Sequence, residues 1–174
     1  HMARHDALTD LGNRVLFRDE MDAALARLQR MGQGFSIFVF DLDLFKAVND
    51  GHGHTVGDSV LRNVALLLKR NVRKVDMVAR YGGDEFMVVL PRIRLEEAVD
   101  VAEKLRRTVA AAAFPAGPGA APIRLTVSLG VASFGHDAVD VAGVLEKSDF
   151  AVYEAKRSGR DRVAVHSAAG RGAA

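Results

Sequence analysis

The chain has 174 residues, 49% of them hydrophobic, with 24 basic and 22 acidic side chains, enough to bury one core and expected to form one domain. A net charge of +2, with basic clusters only at 69–74 and 156–162 and neither interleaved with aromatics, argues against a nucleic-acid partner. The absence of cysteine excludes disulfides and thiolate metal sites, and no apolar run approaches the ~18 residues of a membrane span.

His1-Met2 reads as a cloning scar within an N-terminal extension over 1–4, and no signal peptide is read. The Ala- and Gly-rich tail over 167–174 is expected to be disordered, which leaves 5–166 as the folded unit. So abrupt a beginning and end suggest an excised domain, with its sensor or regulatory segment elsewhere and a cytoplasmic location for the domain. After the turn-prone segment Asp6 to Arg14, apolar Phe17, Met21, Leu25 and Leu28 recur at helical spacing until Gly32 and Gly34 stop the helix. Residues 35–40 are nearly all apolar, as in a central strand covered on both faces.

The stretch 41–58 is too polar for a core, and it begins at the end of that strand, where ligands gather in open sheets. It holds Asp41, Asp43, Lys46, Asn49, Asp50, His54 and Asp58. Thr55 and Asp58 also have the spacing of an N-terminal cap for the next helix, which shows Leu61, Val64, Ala65 and Leu68 on one face. Residues 77–81 and 86–90 read as two strands of a hairpin, in which Gly82-Gly83 can supply the positive φ values of a two-residue primed turn. Asp84 and Glu85 then stand at its rim. Ala98, Ala102, Leu105 and Val109 mark another helix, 114–122 a loop, 123–134 a strand, and Val141, Leu145, Val152 and Ala155 a last helix ending near Gly159. A short strand over 162–166 closes the order α-β-α-β-β-α-β-α-β. This is an α/β (α+β) fold with a ferredoxin-like βαββαβ core and a mixed central sheet flanked by helices.

If the strand ending at Asp41 pairs with the hairpin, Asp41, Asp84 and Glu85 converge, and without a cation at least one would be driven to protonate. Oxygen-only donors favour Mg²⁺ or Mn²⁺, and Mg²⁺ on one or two carboxylates usually completes its shell with phosphate oxygens. Two such ions about 4 Å apart would activate a hydroxyl and stabilise a leaving phosphate. Lys46, Lys156 and Arg160 could neutralise a triphosphate, the last two lying on one helical face. Asn49 and Asp58 can pair with a base, Asp58 accepting from the N1 and N2 hydrogens of guanine. The other reading of the acids is a hairpin tip facing water. No Walker-type loop is present.

Gly82-Gly83-Asp84-Glu85-Phe86, Asp41-x-Asp43-x-Phe45-Lys46-x-x-Asn49-Asp50, Gly53-His54-x-x-Gly57-Asp58 and Ala155-Lys156-x-x-Gly159-Arg160 resemble the GGDEF family of diguanylate cyclases. Asp6-x-Leu8-Thr9-x-Leu11-x-Asn13-Arg14 is similar to that family's start. The resemblance implies a fold like the palm of nucleotide cyclases and polymerases, and condensation of two GTP into cyclic di-GMP with release of two pyrophosphates. It implies that Asp41, Asp84 and the Leu42 carbonyl hold two Mg²⁺ or Mn²⁺ per half-site, with Glu85 in support, Asp84 as proton acceptor and Lys46 stabilising charge. Phe45, Asn49, His54 and Asp58 would bind the guanosine, and Lys156 and Arg160 the phosphates. Catalysis would need a second GGDEF domain face to face with the first. Arg73-x-x-Asp76 matches the family's product-inhibition motif, but Lys104 stands where many inhibited members have a second arginine, with Arg106 and Arg107 nearby; lysine lacks the fork.

Three rivals remain. One is a catalytically silent GGDEF domain that only binds GTP or cyclic di-GMP, although every matched catalytic position here is filled. Another is an enzyme that also takes ATP, against which Asp58 would face adenine N1 without a hydrogen bond. The third is a structural domain whose polar residues merely cap helices and turns.

Overall fold

A computed structural model describes residues 4–134 and 140–166; the expected cloning scar at 1–2 and the tail over 167–174 lie outside the described residues. The elements are α1 (Arg14–Met31), β1 (Phe35–Leu42), α2 (Phe45–His52), α3 (His54–Asn71), β2 (Met77–Arg80), β3 (Glu85–Pro91), α4 (Leu95–Ala111), β4 (Val127–Ser133), α5 (Val141–Arg157) and β5 (Arg162–Val165). The strands form one sheet in the order β2-β3-β1-β4-β5. Neighbours are antiparallel except β4 and β5, so the sheet is mixed and its first four strands have the expected ferredoxin-like arrangement.

All eight residues of β1 are buried, as its apolar run requires of a strand with neighbours on both edges and helices on both faces. The pleat divides them. Phe38, Phe40 and Leu42 join Leu61, Val64 and Leu68 of α3 and Leu105 of α4 in one core, while Ile37 and Val39 join Phe17 and Met21 of α1 and Val144 and Val152 of α5 in the other. Asp41 continues the second set, so its carboxylate faces the side of the sheet covered by α1 and α5. In α1, Asn13 caps the first turn by accepting from the Val15 and Leu16 amides, and Gly32 ends the helix in the left-handed region.

Four local expectations are corrected. The polar run after Asp41 folds as α2 and the first turns of α3, broken at Gly53 with φ 83°. Asp58 is the fifth residue of α3, too far inside to cap, and no side chain caps that helix. The hairpin is not closed by a two-residue primed turn: residues 81–84 form the connection, and neither Gly82 nor Gly83 has positive φ. The strand expected over 123–134 begins only at Val127, which pairs with Leu42, the last residue of β1. Ile123 makes one isolated bridge, to Phe114. Among the described residues, no helix is long and apolar enough to cross a membrane.

Candidate active site

The acids meet at one rim of the sheet because β1 ends where β3 begins. Asp41 is paired in register with Glu85, and the Leu42 amide donates to the Asp84 carbonyl at 3.3 Å. The loop before Glu85 is tied down by the amides of Tyr81 and Gly82, which donate to the Glu85 carbonyl at 2.9 and 3.3 Å. Arg80 staples it from outside. Its Nη2 donates to the Gly83 carbonyl at 2.7 Å, and its Nη1 to the Asp6 carboxylate at 3.2 Å. Burial pushes the Asp6 carboxyl up, but hydrogen bonds from Thr9 and Arg80 outweigh it and hold the group below the usual carboxylate range. The first motif of the sequence is therefore a brace beneath the acidic loop.

Asp41 is buried, Asp84 half-buried and Glu85 exposed. Burial raises the Asp41 carboxyl to about 6; a hydrogen bond and the charge of Lys156 oppose this, while the charges of Asp84 and Glu85 reinforce it. Lys156 of α5 places Nζ 2.7 Å from Asp41 Oδ2. Asp149, seven residues earlier on α5, is raised by burial and by the charge of Glu85. Sequence reasoning missed Asp149, although two helical turns before Lys156 is the same face.

Among the described residues, no three His, Asp or Glu side chains are gathered as a ready metal cage. The donor chemistry nevertheless fits a hard divalent cation: a buried carboxylate in the field of two others, with oxygen donors only. In this arrangement the Lys156 ammonium supplies the counter-charge.

On α2 and α3 the expected nucleoside residues divide. Asn49 and Asp58 are half-buried and His54 is exposed. Asn49 packs directly on Gly57, where an added Cβ would lie 1.9 Å from Asn49 Oδ1. Phe45, also expected at the nucleoside, is 7% exposed and belongs to the core, so it anchors α2 from beneath. Lys46 is exposed and paired with Asp50, Nζ to Oδ2 at 2.6 Å.

After α5 the chain passes through Gly159, Arg160 and Asp161, all with positive φ, and Arg160 thus leaves the helix four residues after Lys156. Asp43, which the sequence offered only as one acid among several, accepts from the Asp161 amide at 3.1 Å.

Arg73 and Asp76 lie at the other end of the sheet, since Arg73 also reaches the carbonyl of Pro91, the last residue of β3, at 3.1 Å. Six residue steps along β3 separate that point from Glu85, about 20 Å of strand. The two side chains are locked together: Arg73 Nη2 donates to Asp76 Oδ1 at 2.5 Å, its Nε to the same carboxylate, and its backbone amide to Oδ2 at 2.8 Å. The Asp76 side chain is only 2% exposed, so this is not an ordinary surface pair. Lys104 is exposed on α4, and its neighbours Arg106 and Arg107 are both engaged by Glu103.

A ferredoxin-like sheet with carboxylates from two adjacent strands at one rim defines a palm-type domain. A sequence model of the family described as diguanylate cyclase, GGDEF domain, matches residues 3–162, and the chain belongs to that family. It is 38% identical over 162 residues to the response regulator PleD of Caulobacter vibrioides, covering 93% of this chain and 36% of PleD. It is 40% identical over 161 residues to the diguanylate cyclase DgcP of Pseudomonas aeruginosa, covering 92% of this chain and 23% of DgcP. The chain thus spans about a third or less of the length of these relatives. Among solved structures, the GGDEF domain of DgcB from Caulobacter crescentus in complex with c-di-GMP superposes with a TM-score of 0.89 at 35% identity, over 94% of this chain and 96% of that one.

Proposed function

We propose that residues 5–166 form one half of a diguanylate cyclase, in which each domain binds one GTP and two domains meet face to face. The 3′-oxygen of each GTP attacks the α-phosphorus of the other, the bond to pyrophosphate breaks, and the two new phosphodiesters close cyclic di-GMP. The observation that carries this reading is Asp41, buried opposite Glu85 and within the field of Asp84, with a lysine ammonium as its present counter-charge. Asp41, Asp84 and the Leu42 carbonyl would hold two Mg²⁺ or Mn²⁺ ions, which when bound supply charge neutralisation for the triphosphate and acidify the attacking hydroxyl.

The chain's own groups do the rest. Asp84 takes the proton released by the 3′-hydroxyl, and Glu85 keeps the rim negative. Lys156, once it leaves Asp41, joins Arg160 on the phosphate oxygens, and Lys46 approaches the developing charge after exchanging Asp50 for phosphate. Asn49 and Asp58 read the guanine edge, helped by His54. Cyclic di-GMP, the ligand in the DgcB complex, would bind back at Arg73 and Asp76. Because that pair is closed on itself, binding there requires Arg73 to exchange Asp76 for a phosphate or a guanine edge. The domain would work in the cytoplasm under a sensor or regulatory segment.

The test is incubation with GTP and Mg²⁺ at a series of protein concentrations, with the products identified by mass. Cyclic di-GMP and pyrophosphate should appear, and the initial rate per domain should climb with concentration in the dilute range. GTP bound but unaltered at the highest concentration would make this a binding module.

A further inference from the structure

We infer that Asp43 and Arg106 are positioning residues that lock residues 159–161 so that Arg160 is presented to the nucleotide phosphates; this rests on the reading of Arg160 as a phosphate ligand. Asp43 lies two residues beyond Asp41, is 5% exposed, and takes no part in the chemistry described above. Its carboxylate is filled by neutral donors. Ser128 Oγ donates to Oδ1 at 2.7 Å, and Thr126 Oγ1 and the Asp161 amide donate to Oδ2 at 2.7 and 3.1 Å. Its own amide donates to the Thr126 carbonyl at 2.9 Å.

The segment it holds is unusual. Gly159, Arg160 and Asp161 have φ of 111°, 59° and 46°, and two of the three carry a Cβ that disfavours this region. Such a run persists only where the surroundings over-determine it. Here they do so from three sides. The Arg160 amide donates to the Ala155 carbonyl at 3.0 Å, tying the turn to the end of α5. Asp43 grips the Asp161 amide from the end of β1, and Arg106 of α4 grips the Asp161 carboxylate, Nη1 to Oδ1 at 2.5 Å. Arg106 is in turn aimed by Glu103, whose Oε1 accepts from its Nη2 at 2.7 Å. Both clamps act on the residue next to Arg160 and neither touches Arg160 itself, as expected of groups that set its direction. The turn borders an open cleft of about 780 Å³ that Leu44, Ala47 and His52 also line. A left-handed turn that relaxed would change the direction in which the Arg160 side chain leaves the backbone.

The experiment measures kcat and KM for GTP with Mg²⁺, alongside hydrogen exchange of the Asp161 amide without nucleotide. Asp43→Ala should raise KM about tenfold with a smaller fall in kcat, and should speed exchange at Asp161 while amides inside β1 and β4 keep wild-type rates. Asp43→Asn should stay within about threefold of wild type on every reading, because its carbonyl oxygen can still accept from Asp161 and its amide can donate to Ser128 Oγ. Arg160→Ala should raise KM as Asp43→Ala does, and the double variant should be little worse than either alone. Losses that multiply, or a folded Asp43→Asn as damaged as Asp43→Ala, overturn the positioning role. An unchanged KM in Arg160→Ala overturns the phosphate reading and the proposal with it, and faster Asp161 exchange in Asp43→Ala then shows that the clamp exists without that purpose. Should Asp43→Ala fail to fold, Arg106→Met poses the same question through the other clamp, with the same non-additivity expected and additivity again fatal.

Discussion

Lys156 Nζ and Asp41 Oδ2 lie 2.7 Å apart, which puts a proposed phosphate ligand on a proposed metal ligand. An ammonium and a divalent cation on one carboxylate repel each other, so metal entry weakens the lysine contact, and triphosphate oxygens give the lysine a new partner. Lys156→Gln should therefore tighten Mn²⁺ binding measured alone by calorimetry, while raising KM for GTP about tenfold. Weaker Mn²⁺ binding in the variant would contradict the competition.

Asp84 is half-buried at the rim, and its charge adds to the raised value of Asp41. Asp84→Ala should abolish cyclic di-GMP formation and leave the circular dichroism spectrum and melting temperature close to wild type. Retained turnover would remove Asp84 from the reaction.

Gly57 leaves room for Asn49, because a methyl group there would sit 1.9 Å from Asn49 Oδ1. The obstructed atom is the tip of a side chain, which can turn aside. Gly57→Ala should thus cost little stability but weaken GTP binding about tenfold by taking Asn49 from the guanine edge. Equal GTP affinity in a titration would exclude Asn49 from base recognition.

Arg73→Ala should relieve inhibition by cyclic di-GMP while leaving the uninhibited rate unchanged. It should also lower stability by about 1–3 kcal/mol, since the nearly enclosed Asp76 carboxylate keeps only the backbone amide of residue 73. Unaltered inhibition in a product titration would reject the regulatory site, and unaltered stability would reject the energetic role of the pair.

The Arg106 hydrogen bond holds the Glu103 carboxyl at about 2; burial opposes it and Arg107 reinforces it. Because the folded value lies below the unfolded one, this stabilisation is complete above the unfolded value of 4.5 and fades as pH falls toward 2. Glu103→Gln should lower the melting temperature by about 2–4 °C at pH 7, and the gap to wild type should shrink steadily between pH 5 and pH 3. A gap independent of pH would remove Glu103 as a charged partner.

Much of this was legible in the chain itself. Short apolar runs located the strands and period-3.6 spacing located α1, α3, α4 and α5, while the polar α2 left no such pattern. Chemically costly residues clustered at a strand end and a turn located the acidic rim, whereas Lys156 and Arg160, expected on one helical face, are parted because α5 ends at Arg157. The hairpin connection was misjudged because Gly82-Gly83 permits a primed turn without requiring one, and the amides of residues 81 and 82 found the Glu85 carbonyl instead. The capping role offered to Asp58 failed because helix α3 starts at His54, where Gly53 breaks the chain.

Sequence alone determined the kind of fold and the family, and nominated the side chains proposed to carry chemistry, because these depend on residue identity and local spacing. Only the folded structure decided which of those side chains face one another: that Lys156 sits on Asp41, that Asp76 is sealed under Arg73, and that Asp43 holds the turn beside Arg160. Residues 43 and 161 are 118 positions apart. Contacts over such distances arise from sheet register and helix packing, and no local pattern records them.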